Sequence, residues 1–294
     1  LLWVCNGSPW FCDNATAIRK IFHDIPIIDQ EAYDVEKGWI TRYTEKGIQS
    51  FDHFIAVNKK IKERFLRDFK INIKHCSLIY SAIDTPRITN FKKTQPDSAL
   101  LRAKHGLPAD CKIFTFIARL TEQKRPLMFL SLAKSRISHT DECYVFVGDG
   151  ELAEQALDYI KQHRLNNVIR IPYIENTLEL NAISDGIIFT SSYEGLPIAM
   201  LEALSMGVPA FSTDVGDIGD ILNMYGGGEV IPVTHTDEQL NTSFNNWMLH
   251  RMDYAANLKE NEYKILNKFS SENISKQYES CWQHAIVNYT KIAV

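Results

Sequence analysis

The amino-acid sequence predicts an α/β protein built from two parallel-sheet domains, the first of them incomplete. Three observations carry that expectation. The chain has 294 residues, of which 45% are hydrophobic and 23% charged. At roughly 100–200 residues per domain this gives about two domains. Short, continuously apolar runs alternate with amphipathic stretches, as required of strands covered by helices on both sheet faces. The opening run Leu1–Cys5 has no basic flank before it and is too short for a signal peptide, so it reads as a strand entered partway through a domain.

Taken in order, Leu1–Cys5 is a strand, Asn14–Ile21 a helix and Ile25–Ile28 a strand. Phe54–Val57 is a strand leading into a helix on which Ile61, Phe65 and Phe69 recur every four residues, giving one apolar face. The opposite side carries Lys59, Lys60, Lys62, Arg64, Arg67 and Lys70. A core-facing helix with a solvated basic side accounts for this pattern, and docking to an anionic membrane surface is the sharper alternative. Cys76–Tyr80 is the next strand. The polar stretch Thr85–Asp97, with Pro86 and Pro96, is the expected domain boundary. A second series follows: strand Ile113–Ile117, a helix opened near Pro126, strand Tyr144–Val147, helix Glu151–Gln162, strand Ile169–Ile171, strand Gly186–Thr190 and helix Pro197–Met206. Strand Val208–Ser212, a short helix over Ile218–Asn223, strand Glu229–Val233 and a closing helix over Ser271–Ala293 complete it. The resulting division is 1–87, 88–270 and a C-terminal helix over 271–294.

Composition narrows the function. Net charge is −4 and the pI about 6.2, which argues against a nucleic-acid partner. No run reaches the roughly 18 apolar residues of a membrane span. The six cysteines form no C-x-x-C pair, so zinc ribbons and dithiol chemistry lack support and thiols in a reducing compartment are expected.

Ligands of open parallel sheets sit beyond the carboxyl ends of the strands. The most informative post-strand segment is Ser191–Pro209. Gly195 permits a tight turn or close backbone approach, Pro197 suits a first helical position, and Gly207 ends the helix. A helix N-terminus so placed offers N–H groups and partial positive charge to a diphosphate. Glu202 lies about 7.5 Å along that helix at 1.5 Å per residue, among Ala199, Met200, Leu201, Ala203 and Leu204. A carboxylate in that company needs hydrogen-bond partners, which a ribose diol supplies. Glu194, in the loop before the helix, is placed to accept hydrogen bonds from sugar hydroxyls.

Glu194 and Glu202 within Glu-Gly-Leu-Pro…Glu-Ala…Gly-Val-Pro resemble the signature of the family-four retaining glycosyltransferases, which have the GT-B fold of two Rossmann-like domains. Ala118–Pro126 resembles that family's motif in which an arginine and a lysine hold the diphosphate; Arg119 and Lys124 match those positions, with Arg125 as the substitute for Lys124. Gly148–Glu151 matches a glycine-rich turn, and Ile171-Pro172-Tyr173 falls where the family cradles the nucleotide base. Val215–Asp220 occupies the place of a Gly-Gly-x-x-Glu-like loop, with Asp217 and Asp220 departing from it. Phe54–Asn58 and Leu78–Asp84 look like the last strands of an acceptor domain. Full-length members begin with a glycine-rich loop after their first strand, so the resemblance implies an N-terminally truncated chain. Near Ile25–Ile28 many members carry a histidine; this sequence has Asp29-Gln30-Glu31, and neither His23 nor His53 aligns.

The resemblance implies an enzyme that moves a sugar, with retention, from a nucleoside diphosphate sugar (UDP favoured) to a glycan or lipid-linked acceptor hydroxyl in polysaccharide biosynthesis. Arg119, Lys124 and Glu194 would be catalytic; Gly148, Pro172, Tyr173, Gly195, Leu196, Pro197 and Glu202 would bind the nucleotide. No metal or other cofactor is expected, and location is cytoplasmic or peripheral at the inner face of a membrane. The retained alternative is a catalytically incomplete nucleotide- or glycan-binding partner. An epimerase of the same fold would lack the Glu-x7-Glu pair in this context, and a nicotinamide-dependent dehydrogenase would need a G-x-G-x-x-G run that is absent.

Overall fold

In a computed structural model the described residues are 1–5, 9–33, 40–43, 45–94 and 96–292. The chain divides into two compact units: Leu1–Ala82 with Tyr193–Leu196 and Lys268–Val294, and Ile83–Ser192 with Pro197–Asn267.

The first unit holds β1 (Leu2–Cys5), α1 (Pro9–Asp13), α2 (Ala15–Ile21), β2 (Ile27–Glu31), α3 (Glu45–Ile48), β3 (His53–Ala56), α4 (Lys59–Arg67) and β4 (Cys76–Leu78). Its sheet runs β1-β2-β3-β4, with every neighbouring pair parallel. The α4 helix starts where Asn58 accepts a side-chain hydrogen bond from the Ile61 N–H at 2.8 Å, an N-cap. Its Ile61 and Phe65 are fully buried and Phe69 packs against the same core as Phe51 and Phe54. The apolar face is therefore used by the unit's own core, and on the basic side Arg64 and Arg67 both pair with Asp68.

The second unit holds α5 (Thr85–Lys93), α6 (Ser98–Lys104), β5 (Lys112–Ile117), α7 (Pro126–Ser135), β6 (Glu142–Val147), α8 (Ala153–Gln162) and β7 (Val168–Ile171). It continues through α9 (Thr177–Asn181), β8 (Gly186–Phe189), α10 (Ile198–Ser205), β9 (Ala210–Thr213), α11 (Ile218–Tyr225), β10 (Gly228–Ile231) and α12 (Asp237–Lys268). The last helix, α13 (Ser271–Ile292), groups with the first unit; Ala293, its expected end, lies outside the described residues. The second sheet is parallel throughout in the order β10-β9-β8-β5-β6-β7. Chain order reverses between β5 and β8, so the carboxyl ends of those two strands flank a topological switch point.

Three local expectations change. The polar stretch Thr85–Asp97 is helical over Thr85–Lys93, because Asp84 caps the Arg87 N–H at 3.0 Å and Pro86 sits in the first turn, where a missing N–H does no harm; Gln95 lies outside the described residues. Pro197 is the N-cap of α10 rather than its first residue, since its ψ of 122° is extended. The 32-residue helix α12 escapes sequence reading. After Trp247 and Met248 its buried residues are only Leu258 and Ile265, too sparse for a 3.6-residue period to emerge.

Candidate functional site

The site is built in the second unit from the loops at the switch point. Ala118 N–H donates to Val147 O at 3.2 Å and Leu120 N–H to Asp149 O at 2.9 Å, so the loops after β5 and β6 run together. That closeness explains Gly148: at φ 136°, a Cβ there would lie 1.9 Å from the Ala118 carbonyl oxygen. Gly148 thus shapes the loop carrying Arg119, a structural reason for glycine that needs no ligand. Arg119 is exposed, and its guanidinium makes no hydrogen bond or ion pair among the described residues. Lys124 is half-buried in the same loop.

The β5 loop is also tied to the end of β8. Thr190 Oγ1 donates to Lys124 O at 2.7 Å, Ser192 N–H donates to Gln123 O at 2.8 Å, and Thr213 Oγ1 reaches Ser191 O at 2.6 Å. Arg125, read as a substitute for Lys124, is committed elsewhere. Its guanidinium donates to Thr190 O, Ser191 O and Val233 O at 2.5, 3.2 and 3.1 Å. Burial lowers its pKa from the ordinary arginine value. Arg125 holds strand ends together and supports, rather than replaces, the cations beside it.

Beyond β8 the helix α10 begins with no side-chain cap. Met200, Leu201, Ala203 and Leu204 are fully buried, and Glu202 is 8% exposed among them. Its carboxylate is neither bare nor capped by backbone: Oε1 accepts from the Arg87 guanidinium at 3.3 Å and Oε2 from the Thr177 hydroxyl at 3.2 Å. Arg87 also donates to Asn176 Oδ1 at 2.8 Å. Pro172 and Tyr173, after β7, are exposed, Tyr173 by 78%.

Glu194, Gly195 and Leu196 belong to the first unit. Glu194 is buried, so a freely solvated side chain is ruled out. Asn58 donates to the Gly195 carbonyl at 3.2 Å, and a Cβ on Gly195 would meet Ala32 O at 2.7 Å and Val57 Cγ2 at 2.9 Å. The close approach that requires glycine here is to protein backbone. Tyr193 packs edge-on against Tyr33, with ring centroids 5.8 Å apart.

Residues 97–265, more than half of the chain, match the family described as Glycosyl transferases group 1. The chain belongs to that family. It is 27% identical over 240 residues to the N-acetyl-alpha-D-glucosaminyl L-malate synthase of Bacillus anthracis, covering 80% of this chain and 60% of the relative. It is 26% identical over 193 residues to an Escherichia coli UDP-Gal:alpha-D-GlcNAc-diphosphoundecaprenol alpha-1,3-galactosyltransferase, covering 64% and 49%. The chain therefore spans about half to three-fifths of the length of these relatives. Anabaena HepE in complex with UDP shares the fold with a TM-score of 0.74 at 15% identity, covering 95% of this chain and 78% of that one. The two parallel-sheet units are thus those of a GT-B protein.

Where this group 1 family member has Asp29-Gln30-Glu31, both carboxylates are fully buried. Arg42 pairs with Asp29 at 3.0 Å and also with Glu31. Glu31 Oε1 further accepts the Ala32 and Tyr33 N–H groups at 2.9 and 3.0 Å, and Asp29 accepts the Tyr43 hydroxyl at 2.7 Å. His53 is buried and bonded to Ser77 Oγ at 2.8 Å; His23 is exposed. Sequence reasoning missed Arg42, Arg87, Asn176 and Thr177. Asn-Thr at a helix start signals a cap, but nothing local links Arg87 to a glutamate 115 residues away.

Proposed function

We propose that the chain carries the donor half of a retaining glycosyltransferase, moving a sugar from a nucleoside diphosphate sugar, with UDP favoured, to a hydroxyl of a glycan or lipid-linked acceptor. One observation carries the reading. At the switch point of the second sheet, the loop with Arg119 and Lys124 and the start of α10 lie beyond the ends of adjacent strands, and α10 bears a buried carboxylate. Arg119, Lys124 and the uncapped helix start suit a diphosphate, and Glu202 suits a ribose diol. UDP in the complex of HepE and the UDP-sugar in the name of the E. coli relative support that donor class.

In this reading the bond from the anomeric carbon to the diphosphate oxygen breaks as the acceptor oxygen bonds to the same face. The departing phosphate takes the acceptor proton. Negative charge grows on the diphosphate, where Arg119, Lys124 and the helix start stabilise it in the place a metal ion fills elsewhere. Glu194 orients the donor sugar. Pro172 and Tyr173 border the base, and Gly148, Gly195, Leu196 and Pro197 set the backbone around the nucleotide. Among the described residues no helix is long and apolar enough to cross a membrane. A cytoplasmic or membrane-peripheral protein that meets a lipid-linked acceptor fits the reading.

Isothermal calorimetry with UDP, GDP and ADP tests the donor assignment. One of them should bind, and Glu202→Ala should weaken that binding at least tenfold, about 1.4 kcal/mol. Unchanged affinity would remove the ribose role. Binding without any sugar transfer would favour the second reading, a nucleotide-binding partner of another glycosyltransferase.

A further inference from the structure

Glu202 is held on both sides by residues with no assigned part in nucleotide binding, and the way they hold it is informative. A carboxylate offers about four acceptor positions, two on each oxygen. Arg87 occupies one on Oε1, and Thr177 one on Oε2. One position per oxygen is left, which is the pattern that two neighbouring hydroxyls of a ribose would fill. The holders are themselves fixed. The Arg87 backbone N–H is bonded to the Asp84 carboxylate at 3.0 Å, and its second guanidinium nitrogen to Asn176 Oδ1 at 2.8 Å. The same Asn176 oxygen accepts the Leu178 N–H at 3.3 Å and so caps α9, whose first residue is Thr177. All of these groups lie in the second unit.

We propose that Arg87 and Thr177 are positioning residues that fix the Glu202 carboxylate so that both of its oxygens face a ribose diol, and that this makes the site selective for ribonucleotides over 2′-deoxyribonucleotides. The inference rests on the donor reading above and adds the source of its sugar selectivity. Arg87 holds the Glu202 carboxylate aimed. Its planar fork reaches Glu202 and Asn176 together, which a lysine ammonium on a flexible stem does not reproduce. The Thr177 hydroxyl turns the second oxygen. Removing either leaves a carboxylate free to turn, with only one oxygen well placed for a ribose hydroxyl.

The test compares UDP, GDP and ADP each with its 2′-deoxy form on the unsubstituted chain and on Arg87→Lys, Arg87→Met and Thr177→Val, with thermal melting as a check on folding. The unsubstituted chain should prefer the ribonucleotide of one pair at least tenfold. Arg87→Met and Thr177→Val should lose ribonucleotide affinity about tenfold while 2′-deoxynucleotide affinity moves less than twofold, so the preference falls toward unity. Arg87→Lys should lie between. A merely structural role would lower both affinities together and leave the ratio intact; that result in the folded variants overturns the inference and leaves the donor reading standing. No binding of any of the three pairs by the unsubstituted chain would overturn the donor reading and this inference with it. Equal affinity for ribo- and deoxy-forms in the unsubstituted chain would overturn the inference alone.

Discussion

Each unit contains an arginine paired with buried acid, and the two clusters are built for different ends. In the first unit Arg42 and both of its carboxylates, Asp29 and Glu31, have fully buried side chains. Tyr43 and backbone N–H groups bond to the same carboxylates. Tyr43 is pushed well above its ordinary pKa by burial and then by Asp29, so it stays a donor. In the second unit the Arg87 side chain is 39% exposed, Glu202 is 10% exposed, and the carboxylate retains acceptor positions. A sealed cluster fixes a fold; a cluster at a partly exposed edge with spare acceptors can receive a ligand. The contrast also explains the place where the family's usual histidine would fall. Asp29 and Glu31 are consumed by Arg42 and stand as scaffolding rather than as a base.

The sharpest way to break the contrast is Arg42→Met. It strands two carboxylates in the first core, and losing one partner of a buried ion pair costs about 3–5 kcal/mol. Chemical denaturation should show a loss of that order. Replacing Asp29, Glu31 and Arg42 together by apolar residues of similar size should cost much less, since the buried charges leave together. If the single and triple variants lose equal stability, the sealed cluster is not held by its charges.

A second sealed feature of the first unit titrates. Burial, followed by the neighbouring His284, His75 and Lys62, lowers the His53 pKa from 6.5 to about 4. The unfolded chain therefore takes up a proton near pH 6.5 that the folded chain refuses until about pH 4. This favours unfolding progressively across that window and leaves stability above it unaffected. The full effect is about 3 kcal/mol at 1.36 kcal/mol per pKa unit. Urea midpoints measured from pH 7 to pH 4.5 should fall less for His53→Gln than for the parent chain. Parallel curves for the two proteins would mean that His53 contributes nothing to the acid limb.

Much of this architecture is legible in the sequence, for identifiable reasons. The parallel sheets show because their central strands are apolar on both faces, as in Ile113–Ile117 and Tyr144–Val147. The α10 segment shows because glycine, proline and two glutamates recur at spacings that a helix start and a buried carboxylate explain. Pairings between distant segments do not show: Arg42 with Asp29 and Arg87 with Glu202 depend on chain crossings that no local pattern encodes. Gly148 and Gly195 are readable as glycines with a purpose, but the nearest partner is a backbone oxygen in both cases.

The smallest effect concerns the open extreme of the comparison. Arg119 is exposed, beside the switch point, and its side chain has no ion pair among the described residues. Unlike Arg42 it has no structural partner to strand, so Arg119→Ala should leave thermal stability within about 0.5 kcal/mol of the parent. Its work is on the ligand. A charge-assisted hydrogen bond near solvent is worth about 1 kcal/mol, roughly fivefold in affinity. Calorimetry should show that loss for the nucleoside diphosphate and little change for the nucleoside alone. Raising the salt concentration should shrink the difference, because exposed charges are screened over about a Debye length. Equal losses for nucleoside and diphosphate would place Arg119 away from the phosphates and leave Lys124 and the α10 start as the groups that face them.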